Sequence, residues 1–229
     1  VRDWVLTTAV VQDTPYYRDI TPLTFPLMER YADKWDMDFE PCVLRADDTV
    51  HDHPAPAGTE ADYRAIPFRQ MLLRAYEGVV FVDSDLVVVE DREDICLTVD
   101  DQQPIGFVNG CGLVVMRAGD IADAFLSTIW ALRRNYLHLQ WLEQAAFMHL
   151  IGWEHAYQPG RPLPTPKTQT AWSPFVRELE QKWNFGPVQA QMGLVCEDPH
   201  FLHPLGVQPY EYRLDLVRQF VALAADVSP

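Results

Sequence analysis

Positive charge is scarce in this chain: 18 lysines and arginines stand against 33 aspartates and glutamates, a formal net charge of −15 over 229 residues. A field of that sign repels nucleic acid and anionic membrane surfaces at long range, which excludes a polyanion-binding role. Cysteine is sparse as well. Cys42, Cys96, Cys111 and Cys196 lie far apart and form no CxxC pair, so neither a zinc ribbon nor a disulfide framework is signalled. Reduced thiols in a cytoplasmic protein are the expectation. There is no apolar run of about eighteen residues and no signal-peptide layout among the first residues, so no membrane segment is expected in this chain. A Gly-x-Ser-x-Gly elbow is missing, which argues against a serine-nucleophile hydrolase. Internal repeats and low-complexity tracts are absent.

What is present is the composition of an ordinary globular protein, 48% apolar and 12% aromatic, with enough chain to bury one sizeable core. A single domain over 1–229 is expected. Trp4 to Val11 reads as an opening buried strand, Leu23 to Trp35 as an amphipathic helix and Phe39 to Leu44 as a second strand, the βαβ rhythm of a mostly parallel α/β sheet flanked by helices. Residues 46–60 are polar and read as a surface loop. Tyr63 to Tyr76 reads as a helix interrupted at Pro67 and closed by Gly78, and Val79 to Val82 as a fully buried central strand. A second apolar run, Leu86 to Val89, follows. Ile105 to Met116 reads as strand broken by Gly106, Gly110 and Gly112. Ile121 to Arg134 and Leu139 to Ile151 read as helices, 157–174 as irregular, and Tyr210 to Ala224 as a closing helix.

Asp83 and Asp85 stand where the buried strand emerges, separated by one residue. Two such carboxylates converge on one point only if the strand ends there and the backbone turns. At that point a hard divalent cation, Mg²⁺ or Mn²⁺, is the natural guest, because oxygen ligands and a substrate phosphate complete its shell. In open α/β sheets ligands bind outside the carboxyl ends of the strands, where this pair falls. The charge balance points the same way, since an acidic protein needs a bound cation to attract a nucleotide diphosphate.

The segment from Tyr63 through Arg69, with Val79 to Asp91 after it, resembles the donor-binding core of retaining GT-A glycosyltransferases, namely the glycogenin and galactosyltransferase-like family and the yeast-type α-mannosyl and galactosyl transferases. Further motifs follow in the order of those families over roughly residues 60–210: Asn109, Gly110, Cys111 and Gly112 before Leu113 to Met116; Leu142, Glu143 and Gln144; Trp183 and Asn184; and His203 to Gly206 as a His-x-x-Gly. The resemblance implies the GT-A (Rossmann-like) nucleotide-diphospho-sugar transferase fold, with a donor-binding half over about 1–115 and an acceptor and metal-closing half over about 116–229. It implies a divalent metal, Mn²⁺ or Mg²⁺, held by Asp83, Asp85 and His203. Donor contacts are implied for Thr8, Arg64, Arg69, Asp83, Ser84, Asn109, Gly110 and Gly206, and catalytic roles near the anomeric carbon for Glu143 and Gln144. The implied reaction moves a hexose from a nucleotide-diphosphate sugar, UDP-linked, to an acceptor hydroxyl with retention.

One departure bears on function. Those families follow the His-x-x-Gly with Lys-Pro-Trp, whose lysine touches the diphosphate, whereas this chain has Gln208, Pro209 and Tyr210. Either Arg69 or Arg64 supplies the missing charge, the metal carries more of it, or the chain is a catalytically degenerate nucleotide-sugar-binding protein. A sugar nucleotidyltransferase would use a similar sheet, but Thr7 to Gln12 lacks the Gly-rich basic phosphate loop it needs. His51 and His53 have a zinc-like spacing but no third ligand nearby, and are set aside. Gly112 has two readings, a positive-φ bend or the close approach of a ligand.

Overall fold

The computed structural model describes residues 3–45, 61–108, 112–136, 142–153, 168–204 and 209–227. In chain order the first half holds β1 (Trp4–Thr7), β2 (Ala9–Val11), α1 (Thr21–Lys34), β3 (Met37–Phe39), β4 (Cys42–Leu44), α2 (Ala61–Ala75), β5 (Gly78–Val82) and β6 (Val87–Val88). The second half holds β7 (Ile105–Val108), β8 (Leu113–Arg117), α3 (Asp120–Leu132), α4 (Leu142–Leu150), β9 (Val176–Glu178), α5 (Pro187–Gln191), β10 (Phe201–Leu202) and α6 (Tyr210–Val227).

Six strands form the central sheet in the order β3-β1-β5-β8-β7-β9. β3, β1 and β5 run parallel, β8 is antiparallel to both β5 and β7, and β9 is parallel to β7, so among the described strands of this sheet β8 alone is reversed. Both faces are covered. Val5, Val79, Phe107, Val114 and Met116 pack on one side with Leu72, Phe125, Leu126 and Phe147 from α2, α3 and α4. Their neighbours Leu6, Val80, Val82, Leu113 and Val115 pack on the other side with Met28, Tyr31 and Ala32 of α1 and with Trp183. A strand buried on both faces must be apolar at every position, which is why Val79 to Val82 carries no alternation.

The sequence expectations need four adjustments. The opening strand is two, because β1 joins the main sheet while β2 pairs with β4 in a ribbon of its own. The expected Phe39 to Leu44 strand is likewise divided between β3 and β4. α2 continues through Pro67 rather than being interrupted there, held by burial of Ala65, Ile66, Leu72 and Leu73 on either side of it. Gly78 opens β5 instead of closing the helix, and a Cβ there would lie 2.2 Å from the Trp4 indole.

A second ribbon, β6 with β10, lies apart from the sheet and is antiparallel, with Leu202 opposite Val87 and Phe201 opposite Val88. α6 closes over it. Val217 and Ala224 pack with Val87, Val89, Leu202 and Ile20 in a separate apolar cluster.

Candidate metal and donor site

β5 ends at Val82, and the chain turns at once: the Leu86 amide donates to the Asp83 carbonyl at 3.1 Å, and the Asp83 amide to the Gly112 carbonyl at 2.9 Å. α1 fixes the middle of this turn through the Thr24 hydroxyl, which donates to the Ser84 carbonyl at 2.8 Å. The turn folds Asp83 and Asp85 towards one point. In extended backbone, side chains two residues apart would instead stand in parallel along the strand.

His203 reaches the same point from 118 residues away, and the β6–β10 register explains how. With Leu202 opposite Val87, the next residue along β10 falls beside the residues just after Asp85. His203 Nε2 lies 3.1 Å from Asp85 Oδ1 and 3.3 Å from Asp83 Oδ2. Its Nδ1 lies 3.0 Å from Asn184 Oδ1, and Asn184 Nδ2 donates to the Val108 carbonyl at 3.3 Å. Asn184 is brought there by the Phe185–Leu202 bridge and is fully buried. Because its amide nitrogen is committed to Val108, its oxygen faces the imidazole and accepts from Nδ1–H. That leaves Nε2 facing the carboxylates, where its N–H donates to Asp85 Oδ1 and where, once that proton is displaced, its lone pair would meet a cation.

The residues fit a divalent cation. One ligand atom from each of Asp83, Asp85 and His203 lies within 4.8 Å of the others. Ligands at right angles around a cation with bonds of about 2.0–2.1 Å sit about 3 Å apart, close to the observed 3.1 and 3.3 Å. Without a cation, the cluster is held by opposed effects. Burial disfavours the charged imidazole, but the Asp85 carboxylate, with Asp83 beside it, overrides this and raises the pKa of His203. Burial likewise disfavours the charged Asp85, yet His203 and then Arg213 hold its pKa below the usual carboxylate value.

Gly112 is resolved by this geometry. Its φ is not positive, and an added Cβ would lie 2.8 Å from His203 Cε1, 2.9 Å from Nδ1 and 3.0 Å from Asn184 Nδ2. What approaches the bare backbone is the protein's own histidine–asparagine pair.

A second polar group lies further back along β5. The Arg69 guanidinium of α2 covers the Phe81 ring at 3.2 Å from its centroid, and its Nη1 lies 3.7 Å from Glu143 Oε1 on α4. All three residues are buried, as is Gln144 beside Glu143. Thr8, at the carboxyl end of β1, is fully buried, and its hydroxyl has no hydrogen-bond partner among the described residues. Parallel pairing of Thr7 with Phe81 sets Thr8 at the level of Val82, one residue before Asp83. Trp183 packs edge-on to Phe201 and tilted on His200, so it serves as core rather than as a sugar platform. Asn109, Gly110 and Gly206 lie outside the described residues, as do His51, His53, Trp141 and Gln208, and the Arg64 side chain is likewise not described.

Sequence reasoning missed Arg213. Its Nη1 lies 3.3 Å from Asp85 Oδ2 and donates to the Tyr16 hydroxyl. A signal existed, because Tyr210, Arg213, Val217, Val221 and Ala224 repeat at helical spacing and Val217 and Ala224 are core. A charged residue on the inward stripe of a helix needs a partner there.

No protein-family model matches the chain, and no curated protein matches it in sequence. Solved structures do match in fold. A glycosyltransferase involved in glycosylation of the major capsid of PBCV-1 aligns with a TM-score of 0.58 at 14% identity, over 94% of this chain and 98% of that one. The galactosyltransferase LgtC, in complex with donor and acceptor sugar analogs, gives 0.56 at 11%, over 99% and 96%. The bifunctional glycosyltransferase WbbM gives 0.58 at 14%, over 97% of this chain and 49% of that protein. The chain therefore has the α/β fold of the GT-A glycosyltransferases, with its mixed central sheet and flanking helices.

Proposed function

We propose that this protein is a metal-dependent glycosyltransferase that moves a hexose from a nucleotide-diphosphate sugar, UDP-linked, to an acceptor hydroxyl with retention. The observation that carries the reading is the convergence of Asp83, Asp85 and His203 just beyond the central strand of a glycosyltransferase-like sheet. In this reading those three residues hold Mn²⁺ or Mg²⁺, which when bound stabilises negative charge on the departing diphosphate.

The protein's own groups have the following parts. Asn184 fixes the His203 tautomer through the 3.0 Å contact, so that Nε2 stays a ligand. The closed turn at Asp83 to Leu86, pinned by Thr24, holds both carboxylates in place before any donor arrives, and this pre-organisation lowers the cost of assembling the site. Glu143 and Gln144 lie near the anomeric carbon, where a carboxylate and an amide stabilise an oxocarbenium-like centre and orient the acceptor hydroxyl. Arg69 orients Glu143 through their buried 3.7 Å ion pair. Thr8, with its unmatched buried hydroxyl, is a donor contact at the strand end next to Asp83.

A second reading, a nucleotide-sugar-binding protein without turnover, is favoured by Gln208 standing where related transferases carry lysine. One experiment separates the two. UDP-hexose binding and UDP release are measured with and without Mn²⁺, for the wild type and for the Asp83→Ala, Asp85→Ala double variant. Metal-dependent release abolished in the variant supports the transferase, and binding without release supports the second reading. No metal-dependent binding of UDP or GDP to the wild type rejects both, and GDP binding tighter than UDP rejects the nucleobase.

A further inference from the structure

The formal charge of the site is incomplete for its proposed substrate. Two carboxylates and a divalent cation cancel, so a nucleoside diphosphate arriving with a charge of about −2 to −3 would meet a site with no net attraction, inside a protein whose overall field repels it. Further positive charge has to come from a side chain. Arg69 is buried under α4, held against Glu143 and the Phe81 ring. The basic group that the structure sets against the acidic pair is Arg213, 3.3 Å from Asp85 Oδ2 and only 16% exposed at its side chain.

α6 is built to hold it there. The helix starts at Tyr210, whose hydroxyl donates to the Pro15 carbonyl at 3.0 Å and lies 3.2 Å from Asp19 Oδ2, while its ring packs on Tyr16. One turn on, Arg213 rests over the Tyr16 ring, 5.6 Å from its centroid, and another turn on Val217 is buried against the β6–β10 ribbon, one end of which is flanked by both Asp85 and His203. The same apolar cluster thus fixes the arginine and the metal ligands relative to each other. A guanidinium is a planar fork that can hold a carboxylate on one edge and a phosphate oxygen on another, which a lysine cannot do with the same geometry.

We propose that Arg213 is a diphosphate-binding residue of the donor site, supplying from the last helix the positive charge that Gln208 does not. This deepens the transferase reading and rests on it. Binding is tested by titrating the full chain with UDP, or GDP if the wild type prefers it, at saturating Mn²⁺, and separately with the parent nucleoside and with Mn²⁺ alone. Arg213→Met should bind the nucleoside diphosphate about tenfold to hundredfold more weakly, with nucleoside affinity and Mn²⁺ affinity each within about threefold of wild type. Arg213→Lys should recover part of the loss, and it carries the same test if the methionine variant fails to show a native circular-dichroism melt. Unchanged diphosphate affinity in both variants overturns the proposal. So does a loss that is matched by the loss in Mn²⁺ affinity, which would mean that Arg213 only positions Asp85. If the wild type binds neither nucleoside diphosphate in the presence of Mn²⁺, the transferase reading itself falls.

Discussion

Replacing Asn184 with alanine tests whether the histidine is oriented for a cation or merely buried. In the native protein the Asn184 amide spans two groups, accepting from His203 Nδ1 at 3.0 Å and donating to the Val108 carbonyl at 3.3 Å, and it is fully buried. Its loss leaves the imidazole N–H enclosed without an acceptor, which costs about 1–3 kcal/mol of folding stability. It also frees the ring to turn and to change tautomer. Partners of this kind behind a metal-binding histidine are worth about 10–100-fold in metal affinity, equivalent to about 1.4–2.7 kcal/mol. The two effects are read separately. Titration with Mn²⁺ at neutral pH gives the affinity, and melts with EDTA or excess Mn²⁺ give the stability. At a fixed Mn²⁺ concentration well above both dissociation constants the metal-dependent stabilisation should shrink by the same amount, about 1.4–2.7 kcal/mol, since bound metal stabilises by RT ln(1 + [Mn²⁺]/Kd). A variant that is less stable with EDTA yet binds Mn²⁺ as tightly as the wild type would refute the reasoning, because Asn184 would then be a core polar group and nothing more.

Gly112→Ala should act on the same pair by crowding, since the new Cβ falls 2.8 Å from His203 Cε1; a loss of about 1–3 kcal/mol in the melt is expected together with weaker Mn²⁺ binding, and a wild-type Mn²⁺ titration would contradict it. Glu143→Ala removes one member of a pair in which both side chains are 6% exposed and strands the Arg69 charge, so a loss of about 3–5 kcal/mol is expected, with Glu143→Met, Arg69→Met recovering most of it; a single variant within about 0.5 kcal/mol of wild type would show the 3.7 Å pair to be energetically idle. The pH dependence has a definite sign. His203 is raised, so its contribution to metal-free stability is full below its unfolded pKa of 6.5 and fades as pH rises through the folded value. Asp85 is lowered, so its contribution is full above 3.8 and fades as pH falls through its folded value. Metal binding must displace the His203 proton, so Mn²⁺ affinity should climb with pH until pH passes the raised folded pKa of His203, and binding should release protons into the buffer. An affinity flat from about pH 5.5 to 8 would remove His203 from the ligand set.

Legibility in the sequence followed how local each determinant is. Val79 to Val82 was readable because a strand covered on both faces shows a continuous apolar run, and its end located Asp83 and Asp85 without reference to the rest of the chain. α1, α3 and α6 were readable from their periodicity. The division of Trp4 to Val11 was not, because all of β1 and β2 is apolar or threonine and only the choice of partners, β3 and β5 for one and β4 for the other, separates them. Pro67 misled for a related reason. The local cost of a proline in a helix is real, but burial of Ile66 and Leu72 on each side outweighs it.

The site divides along the same line. Asp83 and Asp85 meet through a turn of four residues, while His203 and Asn184 arrive through a ribbon of two two-residue strands too short to leave a pattern, and Arg213 through a helix whose packing partners are distant in sequence. His203 and Asn184 were therefore accessible only through resemblance to known motifs, and Arg213, which has no counterpart in those motifs, was signalled only by its place on the inward stripe of α6. Yet the three depend on one another. The register that puts Leu202 opposite Val87 places His203, the bridge from Leu202 to Phe185 places Asn184, and the packing of Val217 on Val87 and Leu202 places Arg213. A substitution that slips the β6–β10 pairing by one residue would move all three away from Asp85 together, whereas a change confined to α6 would move the arginine alone. The candidate cation ligands thus stand on the turn after β5 and just beyond β10, and Arg213 stands on a separate helix.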